Sequence, residues 1–184
     1  QDLLDDGTYL HGGTVSYSGL TAAALGQRVG ILTSCAPDLD LGVYSGMQVR
    51  ALPAARNTVF RNISTDAGRL QYMYHSARRL DSTAVPEEWK LTPIVHLGPV
   101  AAEIDPGIYT AFPRSLICLT PQGWLRSFAP DGRVFPVDWT YSPDLLRAAH
   151  AVVLSLEDLH NDERKVEHWA ELCSLLVVTQ SDQG

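Results

Sequence analysis

Five short apolar runs punctuate the chain, at residues 28–33, 93–97, 115–120, 151–154 and 174–179. Each is continuous: Ser174-Leu175-Leu176-Val177-Val178-Thr179 shows no polar residue at every second place. A strand with one face in water alternates, whereas a strand buried on both faces does not, and burial on both faces is the mark of a parallel sheet. Parallel neighbours need crossovers, and helical material lies between several of the runs. Residues 105–112 begin with Asp105 and Pro106, residues 143–149 follow Ser142 with Pro143, and residues 162–172 place Val166, Trp169, Ala170 and Cys173 at helical spacing. The pattern predicts an α/β fold with a doubly wound, mostly parallel sheet.

One region breaks the rhythm. Met47-Gln48-Val49-Arg50-Ala51-Leu52, Asn57-Thr58-Val59-Phe60-Arg61-Asn62-Ile63 and Leu70-Gln71-Tyr72-Met73-Tyr74 alternate polar and apolar residues. Asp66-Ala67-Gly68-Arg69 has the composition of a hairpin turn. Residues 47–76 are therefore expected to form a small antiparallel β-flap inside a single domain covering 1–184. A length of 184 residues suits one domain with a real core.

Charge and cysteine usage narrow the function. A net charge of −7 leaves no broad basic surface for phosphate backbones, which argues against nucleic acid as a partner. No apolar run approaches the roughly 20 residues that span a bilayer, so no membrane partner is expected. Cys35, Cys118 and Cys173 are odd in number and far apart, which fits neither a disulfide framework nor a zinc ribbon. Cytoplasm is the expected compartment.

Familiar chemical motifs are missing. The chain has no G-x-x-x-x-G-K-[ST], no G-x-G-x-x-G, no G-x-S-x-G and no H-E-x-x-H. His160 and His168 flank acidic residues, but on what reads as a solvated helix face. The informative stretch is Gly12-Gly13-Thr14-Val15-Ser16-Tyr17-Ser18-Gly19-Leu20-Thr21-Ala22-Ala23-Ala24-Leu25-Gly26. Its paired glycines let a ligand approach the main chain, and the helix that follows offers free N–H groups to oxygen-rich ligands. The same stretch reads equally as a plain strand–turn–helix joint.

That stretch, continued through Gln27 to Asp38, resembles the early segment of ribokinase-like (PfkB-type) carbohydrate kinases, in which a di-glycine precedes a sugar-lining helix. Other segments are similar to the family in the same order: Thr58-Val59-Phe60 to its lid, residues 119–126 to its D-x-N-x-R region, residues 149–158 to its N-x-x-E strand end, and residues 177–184 to its nucleotide turn. The resemblance implies transfer of the γ-phosphoryl of ATP, with Mg²⁺, to a hydroxyl of a sugar, polyol or nucleoside. It places Asp2, Gly12, Gly13, Tyr17, Gln122 and Arg126 against the acceptor, Ser155, Thr179, Asp182 and Gly184 against the nucleotide, and Asp158 near the metal. The flap would cover its own site or that of a second copy, which leaves a homodimer open.

Departures from the family pattern keep other readings in play. Tyr17 stands where an asparagine commonly meets the sugar, and a half-buried aromatic would look the same. Ser155 and Asp158 replace the Asn and Glu of N-x-x-E and equally suit a helix start. Asp2 also reads as a solvated acid, and Gln122 and Arg126 as strand-end surface residues. Gly98 stands where some relatives carry an acidic sugar ligand, and Ser181 where the nucleotide turn has glycine. No G-A-G-D occurs, so no catalytic residue is assigned: the base is expected beyond Gly184 and the chain is expected to be inactive alone. The alternatives are an inactive ribokinase-like binding or regulatory protein, or an unrelated doubly wound domain.

Overall fold

A computed structural model describes residues 1–66, 68–139 and 143–180. Contacts gather into two compact units, Gln1–Leu80 with Phe128–Phe135, and Asp81–Ser127 with Pro136–Gly184.

The first unit contains β1 (Asp2–Leu3), β2 (Tyr9–Leu10), α1 (Gly13–Ala24), β3 (Gly30–Cys35), β4 (Gln48–Pro53), β5 (Val59–Thr65) and β6 (Gly68–His75). One sheet has the order β2-β1-β5-β6. β5 and β6 form the expected antiparallel ribbon, with Thr65 opposite Gly68; Ala67 lies outside the described residues. β1 runs parallel to β5, with Asp2 opposite Phe60, and antiparallel to β2.

β3 and β4 pair separately and in parallel, from Gly30 opposite Gln48 to Cys35 opposite Pro53. This corrects the expectation that residues 47–52 belong to the antiparallel flap. Along β4, Gln48 and Arg50 are exposed while Val49 and Leu52 are half-buried. Alternation records that one face is covered; it carries no information on the direction of the neighbouring strand. α1 lies on β3 through its small-residue face: a Cβ added at Gly19 would touch Ile31 Cδ1 at 3.5 Å.

The second unit contains β7 (Ile94–Leu97), β8 (Leu116–Leu119), most of β9 (Arg126–Phe128), the last residue of β10 (Val134–Pro136), α2 (Pro143–Ala148), β11 (Ala149–Ser155), α3 (Glu163–Ala170) and β12 (Leu176–Thr179). The β9–β10 hairpin begins and ends in this unit, while its tip clusters with the first. There Met73 N–H donates to Gly132 O at 2.8 Å. Four strands form a parallel sheet of order β12-β11-β8-β7, as four of the five apolar runs predict.

One face of this sheet is packed. Leu97, Ile117, Leu119, Val152 and Leu154 are all buried, and Val152 is fully so. The other face is open: Ile94 is 59%, Leu116 49%, Val153 37% and Val177 40% exposed. The continuous apolar runs predicted cover on both faces, and only one has it among the described residues.

Among the described residues the helical expectations hold with two adjustments; the cap expected at Ser142 lies outside them. Residues 106–111 form a 3₁₀ helix and not an α-helix, Asp105 accepting from Gly107 N–H at 2.7 Å. In α3, Asp162 caps Arg164 N–H and Trp169 is buried, but Ala170 is exposed rather than on the inner face.

Candidate functional site

The predicted acceptor residues Asp2, Gly12, Gly13 and Tyr17 lie in the first unit. Asp2 is held in β1 by neighbours on both sides, Leu10 and Phe60. Its carboxylate sits directly over Gly12, so that an added Cβ there would overlap Asp2 Oδ2. Gly12 itself is extended, with φ −142° and ψ −173°, and any residue could adopt those angles. Gly13 differs: its φ is 76°, in the left-handed region that other residues enter only with strain. The two glycines thus serve separate ends, close approach at Gly12 and backbone direction at Gly13.

Behind them lies a polar chain that local sequence does not announce. Ser16 is 3% exposed and donates to Gly12 O at 3.0 Å. With that proton committed, the buried Tyr44 hydroxyl donates to Ser16 Oγ at 2.8 Å. His11 Nδ1 stands 3.4 Å from the same hydroxyl, and the two rings meet edge to face at 5.6 Å. The chain pins the Gly12 carbonyl and so fixes the peptide beneath the Asp2 carboxylate. Tyr17 follows Ser16 but points the other way round the helix, and it is 68% exposed. It is therefore a solvent-facing aromatic, not the half-buried one its position allowed.

Gln122, Arg126, Ser155, Asp158 and Thr179 lie in the second unit, beyond the carboxyl ends of its parallel strands or at them. Open α/β sheets bind ligands at this edge. After β7 comes a loop over residues 98–101, and after β8 a 3₁₀ turn, Pro121–Leu125, that carries Gln122 and leads to Arg126 at the start of β9. Gln122 and Arg126 are half-buried. Arg126 Nη1 donates to Val100 O at 3.3 Å. His96 Nε2 and Thr120 Oγ1, on the neighbouring strand ends, are 3.1 Å apart.

Glu103 was not anticipated. Its carboxylate accepts from Val100 N–H at 3.0 and 3.1 Å and from Ala101 N–H at 2.6 Å. Burial pushes its carboxyl above the ordinary range, while those backbone donors and the Arg126 charge pull it back. Gly123 packs against the same loop, and a Cβ there would lie 2.6 Å from Pro99 C and Val100 N. Glu103, Arg126 and Gly123 together lock the loop that closes the end of β7. The sequence shows only an acid shortly after a Gly-Pro, which is too common a pattern to single out.

At the end of β11 the structure brings Ser155 and Asp158 together as a capping box. Ser155 Oγ accepts from Glu157 N–H at 3.3 Å, and Asp158 Oδ2 accepts from Ser155 N–H at 3.0 Å. Thr179, exposed at the end of β12, has Oγ1 3.5 Å from Leu154 O. Asp182 and Gly184 lie outside the described residues. Among the described residues no three His, Cys, Asp or Glu side chains gather as a metal cluster, and no helix is long and apolar enough to cross a membrane.

No protein-family profile matches the chain, and no curated protein sequence matches it. Solved structures do match. A pyrophosphate-dependent kinase in the ribokinase family, in complex with sulfate, aligns with 98% of this chain and 69% of its own at 17% identity and a TM-score of 0.81. A pyrophosphate-dependent kinase in the ribokinase family bound to a pyrophosphate analog and myo-inositol aligns over the same shares at 18% identity and 0.79. Fructokinase from Xylella fastidiosa with bound ATP aligns with 93% of this chain and 63% of its own, at 15% identity and 0.59. The chain has the ribokinase-like fold.

Proposed function

We propose that this chain is the acceptor-binding part of a kinase that transfers a phosphoryl group to a hydroxyl of a sugar, polyol or nucleoside. One observation carries the reading: the Asp2 carboxylate lies over a glycine whose Cβ it would exclude, at the start of α1. An ionised carboxylate only accepts hydrogen bonds, so it suits the donor hydroxyls of a neutral polyol. The bare Gly12–Gly13 backbone lets such a ligand lie flat against the helix start, whose N–H groups favour oxygen atoms. Tyr17 offers an exposed ring that a cyclic acceptor can stack on.

In this reading Gln122 and Arg126 face the acceptor or the travelling phosphoryl group, and Ser155, Thr179, Asp182 and Gly184 line the donor side. Magnesium is compatible with the donor set at the end of β11. It binds through one or two carboxylates plus water and substrate phosphates, and Asp158 has Oδ1 besides the oxygen spent on the cap. When bound, the ion neutralises charge on the phosphates. No side chain here is assigned as the base that takes the hydroxyl proton; the family gives that role to the aspartate of G-A-G-D. The β5–β6 ribbon is the lid, over its own acceptor or that of a second copy, and the compartment is the cytoplasm.

ATP is the proposed donor. Pyrophosphate is the second reading, because the shape agrees better with the pyrophosphate-dependent kinase, at 0.81, than with the ATP-bound fructokinase, at 0.59. The full product of the encoding gene should be assayed by ³¹P NMR with each donor, Mg²⁺, and a panel of polyols, sugars and nucleosides. Turnover with one donor names it. Acceptor binding without turnover selects an inactive binding protein, and no turnover with no binding of donor or acceptor sinks the kinase reading.

A further inference from the structure

A groove of about 590 Å³ opens on the first unit, between the segment that follows β4, residues 53–56, and the end of β6 with the residues after it, 74–78. Its walls are pinned. Ala54 N–H donates to Cys35 O at 2.9 Å, Ala77 N–H to Thr58 Oγ1 at 3.0 Å, and Ser34 Oγ to Arg78 O at 2.6 Å. Its position is that of ligand grooves in open α/β folds, at the carboxyl end of a parallel strand, here Pro53 of β4.

The charge of this groove runs against the rest of the molecule. The chain carries 21 acidic residues and a net charge of −7, yet none of the nine residues lining the groove is acidic, and they include Arg56, Arg78 and His75. Arg56 Nη1 stands 3.3 Å from Nδ1 and 3.2 Å from Nε2 of His75, so this guanidinium lies against an imidazole instead of a carboxylate. Among the described residues neither Arg56 nor Arg78 makes an ion pair, whereas Arg61, Arg147 and Arg164 each do. Two unneutralised guanidinium groups in one concavity match a dianion, and their planar forks match phosphate oxygens. Alanines at 54, 55 and 77 leave the walls low, and the Tyr74 ring, 43% exposed, lines one side.

We propose that this groove binds a phosphate-bearing anion through Arg56 and Arg78, with Tyr74 beside any organic part. The site is distinct from the acceptor cradle at Asp2, and it stands whether or not the kinase reading does. The test is ¹⁵N NMR titration of the chain at constant ionic strength with inorganic phosphate, with a hexose 6-phosphate, and with the unphosphorylated hexose. The expected result is saturable shifts at the amides of residues 54–56 and 76–78 with both phosphates and none there with the hexose. The variant R56Q/R78Q, changed only at exposed positions, keeps its urea midpoint and binds about tenfold or more weakly. A hexose phosphate that binds more tightly than inorganic phosphate identifies an ester as the ligand; equal affinity identifies the free ion. No saturation by about 20 mM, shifts confined elsewhere, equal shifts with the hexose, or undiminished binding by R56Q/R78Q each overturn the proposal.

Discussion

Replacing Gly12 and Gly13 by alanine, one at a time, should separate two roles that look identical in the sequence. At Gly13 the backbone has φ 76°, where an alanine pays roughly 1–2 kcal/mol in strain. Less conformational entropy in the unfolded chain returns part of that, about 0.4–1 kcal/mol. Gly13→Ala should therefore lose about 1 kcal/mol of stability. At Gly12 the backbone is extended and unstrained, and the clash is with the far end of the Asp2 side chain. That carboxylate can swing away, so Gly12→Ala should change stability by less than about 0.5 kcal/mol. What it loses is the carboxylate's position. A hydrogen bond to a charged group is worth about 1.5–3 kcal/mol, or roughly 10- to 150-fold in acceptor affinity. Urea unfolding measures the first quantity, and calorimetric titration with an acceptor from the substrate panel the second. If Gly12→Ala is as destabilising as Gly13→Ala and acceptor affinity stays within about twofold, the carboxylate does not act from above Gly12.

Four further outcomes follow from the packing. Gly19→Ala should stabilise by about 0.5–1 kcal/mol, since its Cβ meets Ile31 at an ordinary 3.5 Å inside a helix. Gly123→Ala should destabilise by about 1–3 kcal/mol, because its Cβ would meet three backbone atoms at 2.6, 2.6 and 2.8 Å; urea unfolding of the pair should move in opposite directions. Burial raises Glu103 above its ordinary 4.5, so the stability it contributes is full below that pH and is lost as pH rises through the raised value. The difference in unfolding free energy between wild type and Glu103→Gln should shrink from about pH 4 to about pH 8, and a difference that grows would contradict the raised carboxyl. The open sheet face should bind an apolar dye such as ANS, and the variant I94K/L116E, which puts opposite charges at paired positions, should reduce that fluorescence without lowering the urea midpoint.

The sequence revealed the strands and their parallel pairing more clearly than their surroundings. Residues 115–120 and 174–179 became β8 and β12 because unbroken apolar runs suit the interior of a sheet. The exposure of Leu116 and Val177 could not be foreseen, since a run records what a strand can bury and not what lies on it. β4 was misassigned for the converse reason: alternation showed a half-covered strand and left its partner open. At the candidate site the di-glycine was legible, since the left-handed φ of Gly13 is a local constraint and the carboxylate over Gly12 comes from Asp2 in the same short N-terminal stretch. The Ser16–Tyr44 hydrogen bond spans 28 residues and the Arg126–Val100 bond 26, and no spacing rule reaches that far. Ser155 and Asp158 were found as residues, and their three-residue spacing already contained the capping box they form.

The path of the chain through its two units also bears on the order of assembly. In the β12-β11-β8-β7 sheet every strand neighbours the next sheet strand in sequence, so the sheet can grow in the direction of synthesis. The first unit cannot. β1 pairs with β5 only after residue 60 is made, and Met73 waits for Gly132, which lies beyond β7 and β8. Closing such long loops is the slow, entropy-limited part of folding. During synthesis the corner around Asp2 and Gly12 therefore gains its Tyr44 and Phe60 neighbours first, and the unit that holds it is sealed only when Gly132 follows, after β7 and β8 have been made.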